Sequence, residues 1–177
     1  ETRFFNFNYK KGFEWYLNTY FNISDNNQYL AIGEVNPGYL YAPNVPNRIK
    51  THLGKNIKII IIARDPAKRA FSQFVMDNKV KGSKTSKSLK NDFINQLSDE
   101  FSNIKESNYI RNSNYSESIK RYIKSFGINN IKVIIFEEYI GFEKKEILCD
   151  LFDFLGVSKT SFNFDINYKS NVSSFPR

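Results

Sequence analysis

The stretch Lys58–Phe74, KIIIIARDPAKRAFSQF, decides how this chain folds. Within it, Ile59–Ile62 is continuously apolar and β-branched, the pattern of a parallel strand covered on both faces. Asp65 is a natural cap for the helix that follows, and Pro66 fits its first turn, where a missing N–H costs nothing. Arg64 then lies at the carboxyl end of a parallel strand, the edge at which open α/β sheets bind ligands. Lys68 and Arg69 fall in the first helical turn, where positive charge opposes the macrodipole. Cations in that place point to an anion nearby, unless they are simply solvated surface charges.

Outward from this stretch, strands and helices alternate. Helical patterning covers Lys11–Phe21, Asn44–Leu53, Pro66–Asn78, Ser88–Ile104, Asn114–Phe126 and Glu143–Leu155. Gly127 and Gly156 follow the last two as C-terminal stops. Strand patterning covers Tyr29–Glu34, Ile57–Ala63 and Ile131–Phe136, and Ser158–Arg177 is irregular. Such alternation predicts an α/β fold with a parallel sheet and right-handed crossovers. No repeat or Pro/Gly-rich linker divides the chain, so residues 1–177 are expected as a single domain.

Composition narrows the partners without choosing one. Hydrophobic residues make up 41% and aromatics 16%, enough for a sizeable core in 177 residues. Lys and Arg exceed Asp and Glu by 26 − 18, giving +8, which favours acidic ligands. Cys149 is the only cysteine, which excludes an internal disulfide, and it falls on the apolar face of a helix as a core residue. With one His and one Cys, no zinc cluster, Ser–His–Asp set or Cys–His pair can be assembled, and no metal is expected. His52 reads as a surface or capping residue. No apolar run is long enough to span a bilayer.

Four segments, in order, resemble the sulfotransferases, and among them the branch that modifies heparan sulfate. Glu1–Tyr16, ETRFFNFNYKKGFEWY, is similar to that branch's E-x-[HQ]-F-F…Y-x-K/H-G-x-x-W-Y. Gly33–Leu40, GEVNPGYL, is similar to E-K-[ST]-P-x-Y-[FL]. The RDP turn, with Arg64 followed eight residues later by Ser72, resembles the family's nucleotide segment, and Asn114–Tyr139 resembles its later helix–strand unit. The loop around Lys79–Lys90 is the least matched part.

The resemblance implies a three-layer α/β/α parallel sheet of the P-loop-kinase-like sulfotransferase fold. It also implies a donor, 3′-phosphoadenosine 5′-phosphosulfate (PAPS), whose sulfuryl group passes to a hydroxyl or amine of an acceptor, expected to be a carbohydrate. Carried over by position, Arg64 and Ser72 hold the donor's 3′-phosphate, and Ser173, Ser174 and Arg177 close over the nucleotide. Glu1 is the base by the same carry-over, while Arg3 stands where many relatives have His or Gln, a permanent cation expected to contact the acceptor or the sulfuryl oxygens. Apart from the resemblance, Glu34 ends a predicted strand at the ligand face, as acceptor contact or strand-end hydrogen-bonding group. Lys79, Lys81 and Lys84 belong to a Lys-rich loop, by default a solvated one and otherwise a contact for a polyanionic acceptor. The family also has a strand before the Glu1 segment, whose exit loop wraps the 5′-phosphosulfate. No G-x-x-x-x-G-K-[ST] loop occurs in this chain, so the expectation is a fold truncated at its N-terminus, an incomplete catalytic domain. The family's compartment is cytoplasmic in bacterial members and the Golgi lumen in eukaryotic glycan-modifying ones.

One departure stands out. Relatives carry Lys where this chain has Val35, and a Val cannot stabilise charge. Two rivals therefore accompany the enzyme reading: a degenerate sulfotransferase that binds without transferring, and a basic module for polyanions or nucleic acid. The second requires aromatics spread over an exposed sheet. Phe4, Phe5, Trp15 and Tyr16 instead read as core, which argues against nucleic acid as partner. Pro37, Gly38 and Tyr39 read as a turn feeding a packed aromatic.

Overall fold

A computed structural model of the protein describes residues 1–21, 29–79, 86–102, 108–141 and 144–158. In chain order its regular elements are α1 (Phe13–Tyr20), α2 (Val45–Leu53), β1 (Ile59–Ala63), α3 (Pro66–Lys79), α4 (Ser86–Ser102), α5 (Tyr115–Phe126), β2 (Ile131–Ile135), α6 (Phe136–Ile140) and α7 (Lys144–Leu155). A π turn at Phe4–Asn8 and short 3₁₀ turns at Tyr9–Lys11, Pro37–Tyr39, Arg111–Ser113 and Ile128–Asn130 connect them. The fold is α/β, with β1 and β2 paired in a parallel sheet. Two compact units are built from these elements, the first from Glu1–Ile62, Ser116–Ile134 and the described residues from Lys145 onward, the second from Ala63–Tyr115 and Ile135–Lys144.

In the first unit, the core is aromatic. Phe4, Phe5, Tyr16, Tyr39, Tyr122 and Phe126 pack with Val45, Ile49, Ile61 and Ile131. The α5 helix supplies Ser118, Tyr122 and Phe126, a four-residue spacing that puts all three on one buried stripe. It ends at Gly127, whose φ of 81° lies in the left-handed region and whose N–H donates to Ile123 at 2.8 Å. That stop is where the sequence predicts it. Lys132 on β2 pairs with Asp150 on α7.

In the second unit, α3 and α4 bury Ala70, Phe74, Val75 and Leu89 with Tyr109. Phe93 links the two helices, its ring 5.2 Å from both Phe71 and Phe74. The predicted cap of α3 is in place: Asp65 Oδ1 accepts from the Lys68 N–H at 2.8 Å. Asp65→Ala is expected to cost about 1 kcal/mol. The check is a lower urea midpoint at unchanged slope.

Two expectations fail. Tyr29–Glu34 forms no strand among the described residues. Its apolar side chains, Leu30 and Ile32, are exposed, and an alternating pattern becomes a strand only where a neighbour offers a ladder. Nor is the Ile59–Ile62 run covered on both faces. Ile61 is buried, whereas Ile60 and Ile62 are 38% and 57% exposed, because the described residues cover one face only.

Candidate functional site

The exit of β1 belongs to the second unit. Between Ala63 and Pro66 only Arg64 and Asp65 intervene, so the chain turns tightly from strand into helix. Three neighbours hold that turn. The Arg64 N–H donates to the Tyr115 hydroxyl at 3.3 Å. The Asp65 N–H donates to both carboxylate oxygens of Glu137, at 3.2 and 3.3 Å. The Arg64 guanidinium sits over the Phe136 ring, 5.2 Å from its centroid. Arg64 Nε is buried and has no acceptor among the described residues. A buried guanidinium N–H without a partner is costly, and an anionic ligand is the natural acceptor.

Ser72 lies half-buried two turns into α3, in the same unit as Arg64 but without a hydrogen bond to it. Arg69 departs from the expectation of an anion-facing cation. Its Nε donates to Ser113 Oγ at 2.8 Å and its Nη2 to the Tyr109 carbonyl at 2.7 Å. It is an internal brace, and of the two cations in that turn Lys68 is the exposed one. The Tyr109 hydroxyl donates to Asp77 at 2.8 Å. Burial, then the Asp77 carboxylate, raises its pKa well above the usual tyrosine value.

The first unit holds the Glu1 segment. Glu1 and Arg3 form an ion pair at 3.5 Å, both largely solvated. Thr2 between them is buried and points the other way. Its hydroxyl donates to Glu34 Oε2, accepts from the Phe4 N–H at 3.2 Å and lies 3.0 Å from the Tyr39 hydroxyl. One hydroxyl has one proton, so Tyr39 is the donor in its pairing with Thr2. The Tyr39 oxygen in turn accepts from the Phe5 N–H at 3.1 Å. Burial pushes the Tyr39 hydroxyl up to about 12. Tyr16 is also raised, first by burial and then by the Glu34 carboxylate. Glu34 Oε1 is buried and accepts no hydrogen bond among the described residues.

Backbone geometry supports this arrangement. Arg3 is left-handed, with φ 51°, and its carbonyl accepts from both the Phe7 and Asn8 N–H groups at 3.0 Å. Arg48 Nη1 donates to the carbonyls of Phe5 and Asn6 at 2.9 and 3.1 Å, with its guanidinium 4.3 Å from the Tyr9 ring centroid. Gly38 approaches so closely that a Cβ there would stand 3.0 Å from Asn6 Nδ2. The Tyr39 carbonyl accepts from the Tyr122 hydroxyl at 2.8 Å, and Arg121 donates to the carbonyls of Leu40 and Tyr41. Val35, next to Glu34, is 81% exposed.

The remaining predicted residues divide cleanly. Lys79 closes α3, while Lys81, Lys84, Ser173, Ser174 and Arg177 lie outside the described residues. His52 neither caps nor sits free on the surface. Its ring stacks on Phe13 at 4.4 Å, and its Nε2 pairs with the Tyr9 hydroxyl at 3.0 Å. Sequence reasoning missed Thr2, Arg48, Tyr115, Phe136 and Glu137 as parts of these arrangements. Thr2 and Arg48 carry no local signal, because their partners are distant in sequence. Phe136 and Glu137 did carry one: they follow a strand, where ligand-facing residues of a parallel sheet collect.

Comparison with known proteins identifies the family. The profile of the sulfotransferase domain family matches residues 1–174. The heparan sulfate glucosamine 3-O-sulfotransferase 5 proteins of mouse and human are 30% and 31% identical over 130 residues, 72% of this chain and 36% of theirs. The membrane-associated sulfotransferase kil1 of Dictyostelium discoideum is 38% identical over 74 residues, 42% of this chain and 16% of its own. This chain thus spans well under half the length of these curated relatives. The crystal structure of a sulfotransferase from Alicyclobacillus acidocaldarius superimposes with a TM-score of 0.70 at 26% identity, covering 92% of this chain and 63% of that one. Among the described residues no helix is long and apolar enough to cross a membrane. Taken with an arginine at the strand exit and a family profile that runs almost from end to end, these matches show that the chain belongs to the sulfotransferase domain family.

Proposed function

We propose that this chain carries the transfer chemistry of a PAPS-dependent sulfotransferase whose acceptor is a hydroxyl or amine on a glycan. The observation that carries the reading is Arg64, a cation at a parallel strand's exit whose buried Nε has no acceptor among the described residues. Arg64 and Ser72 hold the 3′-phosphate, with Ser173, Ser174 and Arg177 completing the nucleotide contacts. When bound, PAPS supplies the sulfuryl group and a phosphate leaving group. The chain's own residues bind it and handle the acceptor proton. Glu1 takes that proton, and Arg3, paired with Glu1 in the described geometry, stabilises negative charge on the sulfuryl oxygens. Glu34 holds Thr2, and so fixes the backbone between these two side chains. Lys79, Lys81 and Lys84 are the acceptor-facing cations in this reading. Similarity to the 3-O-sulfotransferases supports a glycan as acceptor, and the net charge of +8 is compatible with an acidic one.

The test is calorimetric. The full-length protein should bind adenosine 3′,5′-bisphosphate more tightly than 5′-AMP, and Arg64→Ala should remove about 1.5–3 kcal/mol of that preference. Equal affinities in the unaltered protein would overturn the assignment.

One observation favours a second reading, a domain that binds nucleotide or glycan without transfer. Val35 is almost fully solvated at the position where relatives carry a lysine, and it offers no charge to a departing phosphate. Nucleotide binding without any turnover would select this reading.

A further inference from the structure

The exits of β1 and β2 lie together as consecutive pairs. Arg64 and Asp65 follow the first strand, Phe136 and Glu137 the second, and each member touches its counterpart. We propose that Phe136 is a positioning residue that sets the specificity for a 3′-phosphorylated nucleotide, with Glu137 locking the turn beneath it. This rests on the reading of Arg64 as the 3′-phosphate ligand.

An arginine selects phosphate by its planar fork, and that requires the plane to be fixed before the ligand arrives. Arg64 has several rotatable bonds, and its backbone alone cannot fix the plane. Both ends of the side chain are held here. At its root, the Arg64 N–H is bound by Tyr115 and the following N–H by both oxygens of Glu137. At its tip, the guanidinium lies over the face of Phe136. An aromatic face restrains a guanidinium without occupying its N–H donors, so the fork stays available. Glu137 is the carboxylate next in sequence to Phe136, yet it accepts from a backbone N–H. Among the described residues no carboxylate forms an ion pair with Arg64, and its Nε keeps no acceptor. The arrangement holds the cation in place while leaving its charge for a ligand.

The experiment is calorimetry on the full-length protein with adenosine 3′,5′-bisphosphate and 5′-AMP. Phe136→Leu removes the aromatic face while keeping apolar bulk. It should lower the bisphosphate-to-AMP affinity ratio about 3- to 10-fold with AMP affinity unchanged, and Phe136→Tyr should keep the ratio. In an Arg64→Ala background, Phe136→Leu should have no further effect on the ratio. Should the Leu variant fail to fold, Phe136→Met provides the same comparison. Equal weakening of both nucleotides, or a loss that persists without Arg64, would overturn the inference and leave Phe136 as packing. If Arg64→Ala alone leaves the ratio intact, the 3′-phosphate reading itself fails, whatever Phe136 does.

Discussion

Replacing Glu1 by Gln is expected to lower kcat about 100- to 10,000-fold, the contribution of a positioned general base. Gln keeps the size and the hydrogen-bonding capacity of Glu but cannot take a proton. The backbone around residue 1 should be unaffected. Thr2 is anchored through its own side chain to Glu34 and Tyr39, and Phe4 and Phe5 are sealed in the core, none of which involves the Glu1 carboxylate. The ion pair with Arg3 is solvated, so its loss changes stability little. Nucleotide affinity should therefore persist while turnover collapses, which separates a chemical role from a folding defect. Single-turnover kinetics of the full-length protein at saturating donor is the measurement. Near-normal turnover in the Gln variant would make Glu1 ordinary surface and turn attention to Glu34, whose buried Oε1 has no hydrogen bond among the described residues.

The largest stability loss is expected at Phe4. Its side chain is 0% exposed, stacked on Tyr16 at 4.4 Å and edge-on to Phe5 at 4.9 Å. Truncation to Ala removes the ring's transfer energy and leaves a cavity that its rigid aromatic neighbours cannot fill, a cost of about 3–5 kcal/mol. That is a large part of the roughly 5–15 kcal/mol by which a domain is stable. Urea unfolding followed by circular dichroism should show the midpoint falling accordingly, and Phe4→Leu should recover part of the loss. A shift below about 1 kcal/mol would mean that the cavity collapses or that the ring is not core. The aromatic pair beside Glu1 thus reads as scaffold for the segment rather than as a platform for a ligand.

What the sequence revealed and what it hid follow from the range of the interactions. Helix positions were legible because an apolar stripe, a cap and a stop are local: Asp65, Gly127 and Gly156 mark ends that the structure keeps. The strand ending at Ala63 was legible for the same reason, four branched apolar residues shortly before a capping Asp-Pro. The Tyr29–Glu34 segment was misread because its pattern states only that it can pair, and pairing depends on a distant neighbour. Arg69 was misread because Ser113 and the Tyr109 carbonyl, its partners, lie some forty residues onward. Thr2 could not be found at all. Its importance comes from Glu34 and Tyr39, more than thirty positions away. The nucleotide roles of Arg64 and Ser72 rest on the resemblance, whereas the contacts that Tyr115, Phe136 and Glu137 make around Arg64 are visible only in three dimensions.

Trp15 is the sole tryptophan of the chain, and its surroundings make it an optical reporter. The indole packs against the first unit's aromatic core, edge-on to Tyr20 at 5.7 Å, with the Lys11 ammonium 4.2 Å above its ring. Its emission therefore senses a cation and a half-buried apolar wall, both of which vanish when that core loosens. The cluster around Phe74, Phe93 and Tyr109 contains no indole, and its melting would pass unseen in such a signal. A fluorescence transition in this protein is a transition of one core. Only its superposition on the ellipticity curve, which weighs the helices of both units, would license a single free energy of unfolding for the chain.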